Sequence, residues 1–164
     1  HSQFERIPLS VERQIASIKK QLEDLQMSIE AYSNENGMHF SVKQMEKTKK
    51  NLEAKLERLT SGPKDDVVTF EQLGIDRLFV DESHAYKNLF LYTKMNNVAG
   101  VQTTDAKKSS DMFNKCQYIS EITGNKGITF ATGTPISNSM TELYTNMRYL
   151  QYDTLQEMLS LIHI

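Results

Sequence analysis

The sequence predicts an α/β protein, with parallel strands flanked by helices, preceded by an antiparallel α-helical hairpin. Three observations predict it. Two short apolar runs, Leu78-Phe79-Val80 and Ile128-Thr129-Phe130-Ala131, each end at polar, turn-forming residues, as buried strands of a parallel sheet do. Helix-period segments lie between and after them, giving the order strand, loop, helix, strand, helix from residue 75 onward, which favours two neighbouring parallel strands. Ahead of this region, two long apolar stripes of helical spacing are separated by a polar turn.

The first stripe is Val11, Ile15, Ile18, Leu22, Leu25, Ile29 and Tyr32. Its alternating spacings of four and three put these residues on one seam. Ser10 is the expected N-cap, and Pro8 stops the helix extending backwards. Ser33-Asn34-Glu35-Asn36-Gly37 reads as a turn. The second helix is expected to open on the capping-box form Ser41-x-x-Gln44. It carries Met45, Thr48, Leu52, Leu56 and Leu59 and ends at Ser61-Gly62-Pro63. A short polar loop between two such helices makes an antiparallel pair.

Thr69 to Gly74 then reads as one helical turn, with Thr69 capping and Gly74 closing it. Asn96 to Lys108 reads as a loop. Met112, Cys116, Ile119 and Ile122 mark a helix capped by Ser109 or Ser110. Gly124-Asn125-Lys126-Gly127 turns the chain into the second strand. A last helix starts near Ser137 or Asn138 and carries Met140, Leu143, Tyr144, Met147 and Leu150.

Composition bounds the function. The 164 residues suffice for about one domain. With 19 Lys+Arg against 21 Asp+Glu, the formal charge is -2, so no global basic excess announces nucleic acid, although one face can still be basic. A single cysteine, Cys116, leaves no disulfide framework or Cys-rich zinc site and fits a reducing cytoplasm. Its place between Met112 and Ile119 makes it a core residue. No apolar run approaches the ~20 residues of a membrane span, and nothing reads as a signal peptide. The chain opens at His1 and closes on Leu161-Ile162-His163-Ile164, which reads as an excerpt of a longer polypeptide. Lys43, Lys47, Lys49, Lys50 and Lys55 form a basic run balanced by Glu46, Glu53 and Glu57. Such a run is either a solvated face or a DNA-backbone contact, and Lys107-Lys108 has the same two readings.

Two segments carry chemistry. Asp81, Glu82, Ser83 and His84 follow the first apolar run directly, and ligands of open α/β sheets bind beyond the carboxyl ends of the strands. One acid there suits magnesium, which takes few protein carboxylates and keeps its waters. The next could orient or deprotonate an attacking water. Alone, the pair equally fits a solvated loop. After the second run comes Thr132-Gly133-Thr134-Pro135-Ile136-Ser137-Asn138, whose hydroxyls can bond neighbouring loops. Alone, it fits a plain strand-to-helix turn capped by Asn138 better.

Together the segments resemble two motifs of the superfamily-2 helicase-like ATPases, Swi/Snf-related branch. Leu78-Phe79-Val80-Asp81-Glu82-Ser83-His84-Ala85-Tyr86-Lys87-Asn88 is similar to motif II, V-D-E-A-H-x-x-K-N, with Ser83 in place of the more frequent alanine. Thr132-Gly133-Thr134-Pro135-Ile136-x-Asn138-x-x-x-Glu142-Leu143 is similar to motif III. The resemblance implies that residues 63–164 are the C-terminal part of a first RecA-like, ATP-binding lobe. Residues 9–62 would then be a helical hairpin inserted ahead of motif II, and residues 1–8 the end of the preceding lobe segment. It implies that Asp81 holds magnesium of Mg-ATP through water, that Glu82 positions the attacking water, and that His84 couples the γ-phosphate to Thr132, Gly133 and Thr134. ATP and Mg2+ would be cofactors of the complete parent. Double-stranded DNA, contacted at its backbone, and a second RecA-like lobe of the same polypeptide would be partners, and no membrane is expected. Proteins of this look are cytoplasmic and occur in bacterial mobile elements and phages, often as large helicase–methyltransferase polypeptides. The chain has no G-x-x-x-x-G-K-[ST] loop, so by itself it is expected to be inactive. The competing reading is a non-catalytic coiled-coil interaction module on a degenerate α/β lobe.

Overall fold

The computed structural model describes residues 3–33, 39–62, 67–89, 107–137 and 140–162. The chain separates into two compact units, one of His1–Ile7 with Phe70–Ile164 and the other of Pro8–Thr69.

The Pro8–Thr69 unit holds helices α1 (Val11–Ser33) and α2 (His39–Ser61), which pack along one another. Ser10 caps α1 as expected: its Oγ accepts the Arg13 N–H at 3.4 Å and its carbonyl accepts the Gln14 N–H at 3.0 Å. Ile18 and Leu25 of the first stripe and Met45 of the second are buried. Lys49 donates to Gln26 Oε1 at 2.7 Å and stands 4.0 Å from Glu53, so it serves this unit's own packing, while Lys43, Lys47, Lys50 and Lys55 are exposed. α2 begins two residues before Ser41, so Ser41 lies inside the helix instead of capping it. The expected turn at residues 34–37 lies outside the described residues.

The other unit contains β1 (Leu78–Val80), α3 (Lys107–Thr123), β2 (Ile128–Phe130), α4 (Met140–Leu150) and α5 (Tyr152–Ile162), with three short 3-10 turns at Phe4–Arg6, Glu71–Leu73 and Ser83–Tyr86. β1 and β2 are parallel, pairing Leu78 with Ile128, Phe79 with Thr129 and Val80 with Phe130. The ladder runs past both ends: Leu78 N donates to Gly127 O at 2.8 Å and Ala131 N to Val80 O at 2.8 Å.

One sheet face packs into the core. Val80 joins Tyr86, Leu89, Met112, Cys116 and Tyr149, with Leu78, Ile128 and Phe130 against them. Burial pushes the Cys116 thiol up to about 12, so it stays protonated at neutral pH and behaves as a core residue. The opposite face is open. Phe79 is 76% exposed and its partner Thr129 is exposed too. Among the described residues the strands are therefore covered on one side only, where two-sided burial was expected. The alternation of side chains sends every second residue away from α3 and α4.

Lysine 115 fastens the N-terminal segment into this unit. It is fully buried. Its Nζ donates to Asp111 Oδ2 at 2.6 Å and to Phe4 O at 2.8 Å, and lies 4.2 Å from the Phe4 ring centroid. A buried ammonium needs such pairing to offset its lost hydration. Burial raises the Asp111 carboxyl above its ordinary value, although the bond from Lys115 pulls it down.

Several boundaries differ from expectation. Phe70, not Thr69, holds the N-cap position of the Glu71–Leu73 turn, while Gly74 closes it with φ 66°. α3 begins at Lys107, so Lys107 and Lys108 are helical, and Lys108 Nζ sits 4.8 Å above the Tyr86 ring. Residues 96–106 lie outside the described residues.

Candidate functional site

The site is built where the chain leaves both strands at the same end of the sheet. Parallel pairing makes this unavoidable: with Val80 opposite Phe130, Asp81 and Ala131 are the next residues out on each side. The ladder continues one step beyond the strands, because Ser83 N donates to Ala131 O at 3.0 Å. The acidic turn 81–84 and the threonine loop 131–137 are thereby brought side by side.

Within the acidic turn, Asp81 and Glu82 are exposed. Asp81 Oδ1 accepts the Glu82 N–H at 2.9 Å, and Glu82 has left-handed backbone, φ 53° and ψ 45°. A non-glycine residue pays about 1–2 kcal/mol for that conformation, so the surrounding bonds enforce it. The turn swings the chain from the strand into the 3-10 helix Ser83–Tyr86. Strain of this kind concentrates at functional sites.

His84 is the junction. Its Nδ1 lies 3.1 Å from Glu82 Oε2 and 3.3 Å from Thr132 Oγ1. Thr132 Oγ1 also accepts the Thr134 N–H at 3.1 Å. A chain of polar contacts therefore runs Glu82, His84, Thr132, Thr134. Its chemistry has two states. A bare Nδ1 can accept the Thr132 hydroxyl, whereas an Nδ1 bearing a proton donates toward the Glu82 carboxylate. The ion-pair component is weak, because both side chains are well exposed.

A second junction lies one turn further on, and the sequence reading did not single it out as functional. Lys87 Nζ donates to Ser137 Oγ at 2.9 Å and to Glu142 Oε1 at 3.1 Å. Glu142 is only 3% exposed and accepts the Ser137 N–H at 2.6 Å and its hydroxyl at 3.0 Å. Lys87 and Glu142 were visible only as letters within the two motif-like segments.

Deeper supports hold the turn. Tyr149 of α4 is 1% exposed, and its hydroxyl donates to Tyr86 O at 2.9 Å and Ser109 O at 3.1 Å. Burial pushes this phenol well above its usual range. It ties α4 and the start of α3 to the end of the 3-10 turn. Ser83 is buried, and its hydroxyl has no partner among the described residues.

Asp81, Glu82, His84, Thr132 and Thr134 thus stand at one edge of the sheet, and Gly133 lies between the two threonines with open space where a Cβ would be. Asn138 lies outside the described residues. Among the described residues, no three His, Cys, Asp or Glu side chains cluster as a metal cage. No helix among them is long and apolar enough to cross a membrane.

The two segments meet beyond the carboxyl ends of a parallel pair, the place where ligands of open α/β sheets bind. The chain matches the family model described as a probable helicase domain over residues 1–160, and it belongs to that family. Comparison with curated proteins and with solved structures yields no match.

Proposed function

We propose that this chain is part of the first RecA-like lobe of a DNA-dependent ATPase of the Swi/Snf-related branch, carrying motifs II and III. In this reading, ATP hydrolysis by the complete polypeptide drives translocation on, or remodelling of, double-stranded DNA. The observation that supports it most is the His84 bridge between the acidic turn and Thr132 at 3.3 Å. It gives the acids a direct route to the second segment.

Asp81 suits magnesium in type and place. It is a single exposed carboxylate at a strand end, and magnesium completes its shell with waters and substrate phosphates. Bound there through water, the ion would neutralise charge on the transferred phosphoryl group. Glu82, one residue on and turned outward by its left-handed backbone, orients the attacking water and accepts its proton. His84 then senses the state of Glu82. While Glu82 is a carboxylate, an Nδ1–H is held toward it and Nδ1 offers Thr132 no acceptor. Once Glu82 has taken the water's proton, the tautomer with a bare Nδ1 accepts the Thr132 hydroxyl and draws in the threonine loop. That change would be read by the second lobe and, through it, by the DNA, whose backbone phosphates supply sequence-independent contacts. The phosphate-cradling loop is supplied from outside these 164 residues, none of which form G-x-x-x-x-G-K-[ST].

Glu82→Gln in the polypeptide that includes the phosphate loop tests this reading. Nucleotide binding should persist while DNA-stimulated turnover falls about 10²–10⁴-fold, the usual worth of a general base. Undiminished turnover rejects the assignment.

A further inference from the structure

The loop 131–137 has no regular structure of its own, yet it is held at both ends by one short 3-10 turn. At its start, Thr132 meets His84. At its end, Ser137 meets Lys87. His84 lies within that turn and Lys87 is its C-cap, three residues on, so both arms leave the same short piece of backbone.

The two arms differ in character. The His84–Thr132 contact is long at 3.3 Å and exposed, so water competes with it. The Lys87 arm ends on Glu142, whose side chain is 3% exposed against 32% for Lys87. Ser137 completes it by giving both its N–H and its hydroxyl to the same carboxylate. The Lys87–Ser137 bond is itself exposed, but Ser137 is also bonded through its N–H and hydroxyl to the buried Glu142 carboxylate. Several contacts anchored on one shielded group therefore hold this end of the loop, whereas its start rests on the single long His84–Thr132 contact.

We propose that Lys87 is a positioning residue: by gripping Ser137 and Glu142 it holds the threonine loop at the distance from which Thr132 can engage His84. This rests on the ATPase reading above. Lys87 touches no reacting atom, and its effect passes entirely through the loop.

The test has a structural arm and a kinetic arm. In the 164-residue chain, Lys87→Met should speed exchange of the Ser137 amide about tenfold or more. It should also move the Thr134 amide resonance, while the Ala131 amide, bonded within the ladder, stays put. Lys87→Arg should restore both signals. If Lys87→Met fails to fold, Lys87→Met/Glu142→Gln removes the stranded charge and is compared with Glu142→Gln alone, so that only the loss of Lys87 is read. Unchanged Ser137 and Thr134 signals overturn the proposal. In the ATPase-competent polypeptide, Lys87→Met should lower kcat about tenfold with KM for ATP within about twofold. In a Thr132→Val background the same substitution should add nothing further, the non-additivity of residues acting through one contact. Loss of turnover in Glu82→Gln together with full kcat in Lys87→Met overturns the positioning role alone. Full activity in both variants overturns the ATPase reading, and the amide signals then still decide whether Lys87 grips the loop.

Discussion

At the scale of single residues, the site combines groups that bear on chemistry with groups that only fill space, and Ser83 separates the two. It sits between Glu82 and His84, is 2% exposed, and its hydroxyl is unpartnered among the described residues. A buried hydroxyl without a partner costs about 1–3 kcal/mol in lost hydration. Ser83→Ala removes that penalty and leaves a void of one oxygen, while the Ser83 N–H bond to Ala131 O remains. The melting temperature of Ser83→Ala should therefore stay level or rise by up to about 4 °C, the shift that ~1 kcal/mol produces in a chain of this size. A fall of several degrees would show that the hydroxyl is bonded in solution. The residues at this scale were unevenly legible. Asp81, Glu82 and His84 could be picked out because an apolar run delivers them directly to a strand end. Lys87, Lys115 and Tyr149 could not. Their partners lie 55, 111 and 63 residues away in the chain, and a lysine or tyrosine at helical spacing looks the same whether it faces solvent or a buried carbonyl.

At the scale of elements, the register of β2 against β1 decides whether the site exists, and Gly127 sets that register. It immediately precedes β2, and its carbonyl accepts the Leu78 N–H at 2.8 Å. A Cβ at this position would lie 2.5 Å from Ile119 Cγ2, 2.7 Å from Asp76 O and 2.8 Å from Thr123 Oγ1. Only a residue without a side chain lets the end of α3 and the entry to β1 approach this closely. Gly127→Ala should cost about 1–3 kcal/mol through overpacking, seen as a lower urea midpoint with an unchanged slope. An unchanged midpoint would mean that the strand entry is looser than the contacts require. The strands themselves were legible from their apolar runs, and the parallel pairing from the intervening helix. The one-sided burial was not, since Leu78-Phe79-Val80 looks alike with one face covered or two. α5 was missed as well: of its apolar residues only Leu161 and Ile162 were singled out, as part of an apolar chain end. Lys107 and Lys108 read as loop because charged residues at a helix start contribute nothing to apolar periodicity.

At the scale of the whole molecule, the chain leaves one compact unit after Ile7 and returns to it at Phe70. The two sides of that excursion meet within the unit. The Phe4 and Phe70 rings pack edge to face with centroids 5.8 Å apart, and Lys115 Nζ lies over both, at 4.2 Å and 5.7 Å. Because exit and return are close, a short connection can replace everything between them, at a closure cost that depends only weakly on length. The unit also keeps its own core around Val80, Cys116 and Tyr149, none of which belongs to residues 8–69. A chain with residues 8–69 replaced by a flexible Gly/Ser linker of about eight residues, which spans roughly 15 Å on average, should therefore fold. Its near-ultraviolet tyrosine signal should persist and it should melt cooperatively. Lys115→Met in the shortened chain should lower the melting point sharply, because it strands the Asp111 carboxylate and frees the Phe4 segment that now leads into the linker. If the shortened chain shows no tertiary signal while the full chain does, the α/β unit depends on residues 8–69 for its fold, and reading the hairpin 9–62 within them as an insertion is wrong.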